Sequence, residues 1–98
     1  MIHYNIIRPY EKPQPTVDES LDYMTLEKMY EITKSEIVEF IYLEEGFVLI
    51  IDEEGKLKNR QVNTEATKAY HNANKDNPWA LNDNIVGTAI CIHKRYLK

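Results

Sequence analysis

Cys91 and His93 are the two side chains in this sequence whose types would best suit catalysis. They stand two residues apart in a predicted strand, so both side chains lie on the same face. A histidine beside a thiol can lower the thiol pKa and create a nucleophile. The same face also carries Gly87 and Ala89, however, and small residues of this kind are typical of a packed core. Because burial makes a thiol unreactive, we expect Cys91 to be an inert core residue.

Metal ligation is a second chemistry that these residues could support. His3, Cys91 and His93 offer nitrogen and sulfur ligands for zinc, but only if the first and last strands are neighbours in the sheet. The sequence lacks C-x-x-C, H-E-x-x-H, G-x-x-x-x-G-K and G-x-G-x-x-G motifs. We therefore expect no catalytic residue, no metal and no cofactor, and hence no enzymatic activity.

Carboxylates flank the longest apolar run of the chain, Phe47 to Ile51. They are Glu44, Glu45, Asp52, Glu53 and Glu54. A calcium loop places oxygen ligands at alternating positions within one loop, whereas these residues form two groups at opposite ends of a predicted strand. We expect solvated turn charges rather than a metal site.

A candidate ligand-binding site lies at the start of the second predicted helix, at Asn63, Thr64, Thr67 and Lys68. Backbone amides at a helix N-terminus attract anions, and the hydroxyl and ammonium groups could add donors for a phosphate or nucleotide. The alternative is that Asn63 serves only as the N-cap of the helix.

Trp79 and Leu81 are candidate interaction residues, because they interrupt a polar stretch from His71 to Asn84 that we predict to be a loop. Their side chains either hold the loop against the body of the protein or contact a partner. Since most tryptophans are largely buried, we expect the first arrangement.

Composition limits the classes of function. The chain has 98 residues, enough for one domain (1–98), and 12 basic against 16 acidic residues give a net charge of -4. This charge disfavours nucleic acid as a partner. A single cysteine, no apolar run long enough to cross a membrane and no signal-like N-terminus predict a cytoplasmic protein. The sequence leaves both a monomer and a homodimer open.

Five consecutive apolar residues at 47–51 predict a strand that is buried on both faces and lies in the middle of a sheet. The preceding segment, 37–43, should pair with it through a Glu44-Glu45-Gly46 hairpin loop. Residues 56–58 could return as a short edge segment.

The remaining elements follow from local patterns. Residues 2–8 alternate as a first strand, and three prolines predict an extended loop from Pro9 to Ser20. Thr25 and Asn63 are predicted N-caps of two helices. The alanine stripe of the second helix should pack against Gly87, Ala89 and Cys91 in the last strand, 85–92.

The chain also resembles a family of small uncharacterised proteins, the domain of unknown function numbered three-eight-four-six, which occurs in phages, plasmids and their bacterial hosts. The segments that carry the resemblance are Leu26 with its helix, Ile37 to Tyr42, Asp52-Glu53-Glu54-Gly55-Lys56-Leu57, Asn63 with Ala66 and Thr67, and Ile85-Val86-Gly87-Thr88-Ala89. The resemblance implies a mobile-element context and supplies no catalytic residues.

Together these patterns predict an α+β domain in β-α-β-β-α-β order, with a mixed sheet of about four strands and both helices on one face. A ferredoxin-like arrangement is one topology with this order. The expected function is a non-enzymatic interaction module that binds a host or phage protein. The alternative is a module that binds a small ligand or nucleotide at the second helix.

Overall fold

The computed structural model describes residues 1–98 and contains one five-stranded sheet with three helices. The strands are β1 (Ile2–Ile7), β2 (Gln14–Asp18), β3 (Val38–Tyr42), β4 (Phe47–Asp52) and β5 (Ala89–His93). The helices are α1 (Leu26–Thr33), α2 (Thr64–Ala73) and α3 (Pro78–Leu81), and single 3₁₀ turns lie at Glu44–Gly46 and Lys94–Tyr96. The predicted α+β class is confirmed.

The strands are ordered β2-β1-β5-β4-β3, and every neighbouring pair is antiparallel. The predicted strand number is therefore close, but the expected mixed sheet and the ferredoxin-like alternative are wrong. The reason is the long connection between β4 and β5, which contains both α2 and α3 and returns the chain in the opposite direction. β4 is an interior strand as predicted, although β5 occupies the centre.

The extra strand, β2, lies in the segment predicted to be a loop. Pro15 pairs with Asn5 of β1, and β2 forms one edge of the sheet. Proline is tolerated on an edge strand, because its missing N–H can face solvent instead of a partner strand. The proline content therefore indicated an edge rather than the absence of a strand.

The two longer helices cover opposite faces of the sheet, which corrects the prediction that they share one. Val48 and Ile50 of β4 pack in a core with Met29 of α1, and we call this side the α1 face. Leu49 of β4 packs with Ala66 of α2 on the other side, the α2 face. The physical reason is that β4 is apolar on both faces, so both faces need a cover.

The predicted packing of α2 against the last strand is confirmed for Ala66 and Ala89, which are fully buried in the same core. Gly87 has a different position from the one predicted. It precedes β5, has φ +77°, and lies beneath the side chain of Arg60. A glycine is required there by the left-handed backbone and by Arg60, and not by the approach of α2.

The predicted hairpin between β3 and β4 is confirmed, with the Leu43 amide donating to the Phe47 carbonyl at 2.8 Å and Gly46 at φ +83°. The predicted edge segment at 56–58 is wrong, because residues 53–59 form successive turns. No helix combines the length and apolar character that crossing a membrane would require.

Candidate functional site

A cleft exists on the α1 face because one short helix cannot cover five strands. Strands spaced about 4.8 Å apart span roughly 19 Å from first to last, whereas a helix with its side chains is about 10 Å wide. α1 lies over β3, β4 and β5. β1 and β2 therefore form the floor of the cleft, which Tyr4, Ile6 and Thr16 line.

The cleft has a volume of about 810 Å³ and a strongly basic lining, and we call it the cationic cleft. Its cations are Arg8, Lys28, Lys34, Lys58 and Arg60, and Glu31 is its single carboxylate. Five of the 12 basic residues thus surround one cavity in a chain whose net charge is -4. Such a concentration of one sign of charge in a concave site raises the local concentration of anions.

The cap of α1 places two of these charged side chains. Thr25 accepts a hydrogen bond from the Lys28 amide at 3.1 Å, which confirms the predicted N-cap and fixes Lys28 in the first turn. Glu31 follows at the i+3 position, on the same side of the helix. Lys28 Nζ lies 3.6 Å from Asp18 Oδ2 of β2, so this ammonium extends from α1 to the β2 edge and is paired with a carboxylate there.

Asp52 organises the opposite wall. Its carboxylate is 1% exposed and accepts hydrogen bonds from Lys58 Nζ at 3.0 Å, Arg60 Nε at 2.9 Å and the Glu54 amide at 2.9 Å. Burial by itself would raise the pKa of Asp52, but the hydrogen bonds from Lys58, the Glu54 amide and Arg60 outweigh it and lower the pKa below 3.8. Asp52 is therefore a buried anchor, which corrects its predicted role as a solvated turn charge.

Arg60 also links this wall to α1. Its Nη2 donates to the Lys34 carbonyl at 2.6 Å, at the C-terminus of α1, where carbonyl groups favour a cation. Lys34 itself has φ +55° and ends the helix. Behind Arg60, the Gly87 amide donates to the Gln61 carbonyl at 2.8 Å. The wall is thus attached to the end of α1 on one side and to the segment before β5 on the other.

Tyr4 adds a hydrogen-bond donor at the floor. The residue is only 5% exposed, belongs to the α1-face core and lines the cleft. Desolvation raises the pKa of Tyr4, against an opposing effect of Lys28. No protein hydrogen bond contributes to this shift. Because the structure has no fully buried side-chain oxygen that lacks a partner, the Tyr4 hydroxyl is accessible from the cavity. It remains a neutral donor at physiological pH.

Arg8 forms the remaining charged part of the rim. Its Nη1 donates to the neutral Gln14 Oε1 at 2.7 Å, so its positive charge is not compensated by that partner. Guanidinium and ammonium groups together with a phenol suit phosphate or carboxylate oxygens, which accept several short hydrogen bonds at once. The lining contains neither cysteine nor histidine, and Glu31 is its one carboxylate.

The structure does not bring the predicted ligand residues of α2 into this cleft. Asn63 is fully buried, caps α2 by accepting from the Ala66 amide at 3.1 Å, and donates to the carbonyls of Ile7 and Gly87, each at 2.8 Å. Thr67 is buried and bonds to both backbone groups of Ile85. Neither side chain has a polar group available for a ligand.

The other two predicted ligand residues are exposed. Lys68 Nζ lies 3.5 Å from Glu65 Oε1, one turn back in α2, and Thr64 is the first residue of the helix. Any anion site at this helix would depend on these two side chains, and it stays a prediction.

The cations of the cleft were missed because they are dispersed from Arg8 to Arg60 and no local motif joins them. The one local signal is the pair Lys58 and Arg60, which lies shortly after the acidic residues 52–54 in the sequence.

Trp79 is 88% exposed and Leu81 is 43% exposed, so the expectation that they hold a loop against the body is wrong. The stretch forms the end of α2 and then α3, in which Asn77 accepts hydrogen bonds from the Trp79 and Ala80 amides. This turn buries Ala80 and directs Trp79 outward. A role of Trp79 and Leu81 in binding a partner stays a prediction.

Cys91 is half-buried, and burial raises the pKa of its thiol. His93 does not activate it, because His93 Nδ1 accepts from the Arg95 amide at 3.0 Å and the ring packs edge-on against Phe47 at 5.2 Å. β1 and β5 are neighbours, as a metal site with His3 would require. No three histidine, cysteine or acidic side chains are grouped closely enough to hold a metal ion.

Comparison with known proteins identifies a family. The model of Domain of unknown function (DUF3846) matches residues 2–95, a range that includes every strand and helix of the sheet domain described above. The resemblance found in the sequence is therefore confirmed over a longer part of the chain. No curated protein and no solved structure matches the chain.

Proposed function

The chain belongs to the family Domain of unknown function (DUF3846), and we propose that it is a non-enzymatic binding protein that holds an anionic ligand in the cationic cleft. The observation that carries this proposal is that five cationic side chains and Tyr4 line one cavity. Asp52 pairs with Lys58 and Arg60, and Asp18 pairs with Lys28, whereas Arg8 and Lys34 have no carboxylate within 4.0 Å. A bound anion would offset this remaining positive charge.

The size and lining of the cleft support a polar ligand. Ligand pockets typically enclose about 300 to 1,000 Å³, and most of them are lined by apolar side chains. The cationic cleft lies within this range, at about 810 Å³, but ten of its 15 lining residues are charged or are threonine, asparagine or glutamine. A phosphate-bearing or carboxylate-bearing small molecule fits such a lining better than an apolar one.

The absence of enzymatic activity is also part of the proposal. General acid–base or nucleophilic catalysis needs a nucleophile and a base within hydrogen-bond reach. The cleft offers a protonated tyrosine, cations and one carboxylate, which together bind charge rather than transfer protons. A phage or mobile-element context, as the family resemblance implies, and a cytoplasmic location, as the sequence composition predicts, belong to the same proposal.

Thermal unfolding in the presence of inorganic phosphate, pyrophosphate or ATP tests the proposal. An anion at one hundred times its dissociation constant should stabilise the protein by about 2.7 kcal/mol. The double variant K28Q/K34Q should lose this stabilisation. The matched control K12Q/K75Q removes the same charge from exposed sites outside the cleft and should keep it.

A Tyr4→Phe variant separates the contribution of the Tyr4 hydroxyl to anion binding from that of general electrostatic attraction. A hydrogen bond to a charged group contributes about 1.5 kcal/mol, so anion binding should weaken by about tenfold. Equal stabilisation of all these variants by each anion, or no stabilisation of the parent protein by any of them, would contradict the proposed function.

A further inference from the structure

The two edges of the sheet differ in their capacity to accept another strand. β2 forms one edge, and Pro13 and Pro15 lie immediately before and within it. Proline removes a backbone donor and is a common means of blocking an edge. β3 forms the other edge, and it contains neither proline nor lysine.

The unpaired backbone groups of β3 can be assigned from the bonds at its two ends. The Leu43 amide donates to Phe47 and the Ile37 carbonyl accepts from Glu53, so the odd-numbered residues of this segment face β4. Backbone groups alternate in direction along an antiparallel strand. The N–H and C=O groups of Val38, Phe40 and Tyr42 therefore point away from the sheet, available to another strand.

The side chains of this edge are apolar and partly exposed. Phe40 is 37% exposed and Tyr42 is 66% exposed, and both lie on the α1 face, as their partners Ile50 and Val48 show. Ile37, just before the strand, is 44% exposed. An exposed edge of this composition is a typical template for strand addition.

Charge distinguishes between possible occupants of the edge. Residues 35–55 contain seven of the 16 carboxylates of the chain and no lysine, arginine or histidine. Lys58 and Arg60 neutralise Asp52. The other six are exposed glutamates that surround β3, namely Glu36, Glu39, Glu44, Glu45, Glu53 and Glu54.

We infer that the β3 edge binds an extended segment of a partner protein that alternates apolar residues and carries lysine or arginine on both sides. The backbone groups of β3 would add the segment to the sheet, and the glutamates at both ends of β3 would attract its flanks. A second copy of this chain fits less well. Two-fold pairing centred on Phe40 would bring the glutamates that flank one end of β3 close to those that flank the other end in the second copy, and like charges at close range are destabilising.

A synthetic peptide that alternates valine and threonine, with paired lysines at each end, tests the inference. Amide hydrogen exchange of the full chain should show new protection at Val38, Phe40 and Tyr42. The amides of Glu39 and Ile41 are already bonded to β4, so their protection should change little. The same peptide with paired glutamates at each end should bind at least tenfold more weakly.

Two substitutions at Tyr42 provide matched variants. Tyr42→Pro removes an outward N–H without removing a bond to β4, and it should abolish binding of the lysine-flanked peptide. Tyr42→Thr keeps the N–H and should retain binding. If Tyr42→Pro does not fold, the charge variant E36K/E44K gives an independent readout. It lowers the negative charge around β3 and should reduce the preference for the lysine-flanked over the glutamate-flanked peptide.

Three results would overturn the inference. One is equal binding of the lysine-flanked and glutamate-flanked peptides. Another is protection that does not alternate along β3. The third is protection of Val38, Phe40 and Tyr42 without peptide, in step with concentration-dependent dimerisation, since this would make a second copy the occupant of the edge.

Discussion

Arg60 Nε donates a hydrogen bond to the buried carboxylate of Asp52 at 2.9 Å, and this contact joins the end of β4 to one wall of the cationic cleft. The same carboxylate accepts from Lys58, so two of the five cations of the cleft depend on a single acid. One residue thereby contributes both to the stability of the turn after β4 and to the position of the charges in the cleft.

Replacing Asp52 by asparagine should therefore destabilise the protein. Breaking a fully buried ion pair costs about 3 to 5 kcal/mol, but Lys58 and Arg60 are 38% and 26% exposed. We expect a smaller loss, roughly 1 to 3 kcal/mol, in urea unfolding. Glu53→Gln changes the same charge at the exposed neighbouring position and should cost less than about 0.5 kcal/mol. Equal effects of the two substitutions would show that Asp52 is not an anchor.

The lowered pKa of Asp52 also predicts how stability depends on pH. Above 3.8, the ordinary pKa, the carboxylate is charged in both folded and unfolded states, and its full contribution is present. As the pH falls from 3.8 through the lower pKa of the folded state, the unfolded chain binds the proton more readily, so the free energy of unfolding decreases. Urea unfolding between about pH 5 and pH 2 should show this decrease, and D52N should show a smaller one. An identical pH dependence of parent and variant would contradict the assignment.

Gly87→Ala should be destabilising for two separate reasons. The left-handed backbone at φ +77° costs a residue with a Cβ atom about 1 to 2 kcal/mol, and the new Cβ would lie 2.7 Å from Arg60 Cδ. A double-mutant cycle with Arg60→Ala separates the two contributions. Removing the Arg60 side chain should relieve part of the Gly87→Ala penalty. Strict additivity of the two changes would mean that Gly87 and Arg60 do not interact. The larger Gly87→Leu substitution should weaken the fold further.

The local elements were largely predictable from the sequence, because each depends on neighbouring residues. Thr25 and Asn63 act as caps through bonds to amides three residues ahead, and Gly46 supplies the backbone angle of its hairpin loop. Ala66 and Ala89 were predicted to pack together because strand and helix periodicity place them on inward faces. Each of these contacts either joins residues that are close in the sequence or follows from the regular period of a helix or strand.

The cleft was not predictable, because its residues become neighbours only through the order of the strands. Arg8 and Arg60 line the same cleft because β1 pairs with β5 and because β2 extends the floor beyond α1. The prolines concealed β2, and without this strand the sheet appeared narrow enough for helices on a single face. Asn63 was predicted to bind an anion from its type and position, but its amide is used by the carbonyls of Ile7 and Gly87, both distant in sequence.

The exposure of Trp79 gives a direct spectroscopic prediction, since it is the single tryptophan of the chain. At 88% exposure, its fluorescence should have the emission of a solvated indole and should be quenched readily by acrylamide. Trp79→Ala should change the free energy of unfolding by less than about 0.5 kcal/mol. A blue-shifted emission in the dilute protein, resistant to quenching, would show that the ring is covered.

The most direct test of the anion-binding cleft is a titration of the ¹⁵N-labelled protein with pyrophosphate, followed by the amide chemical shifts. We predict saturable shifts at Arg8, Lys34, Arg60 and Thr88, which surround the cationic cleft, and little change at Thr64 and Lys68 at the start of α2. Shifts confined to Thr64 and Lys68, or no saturable shift at any amide of the cleft, would contradict the account.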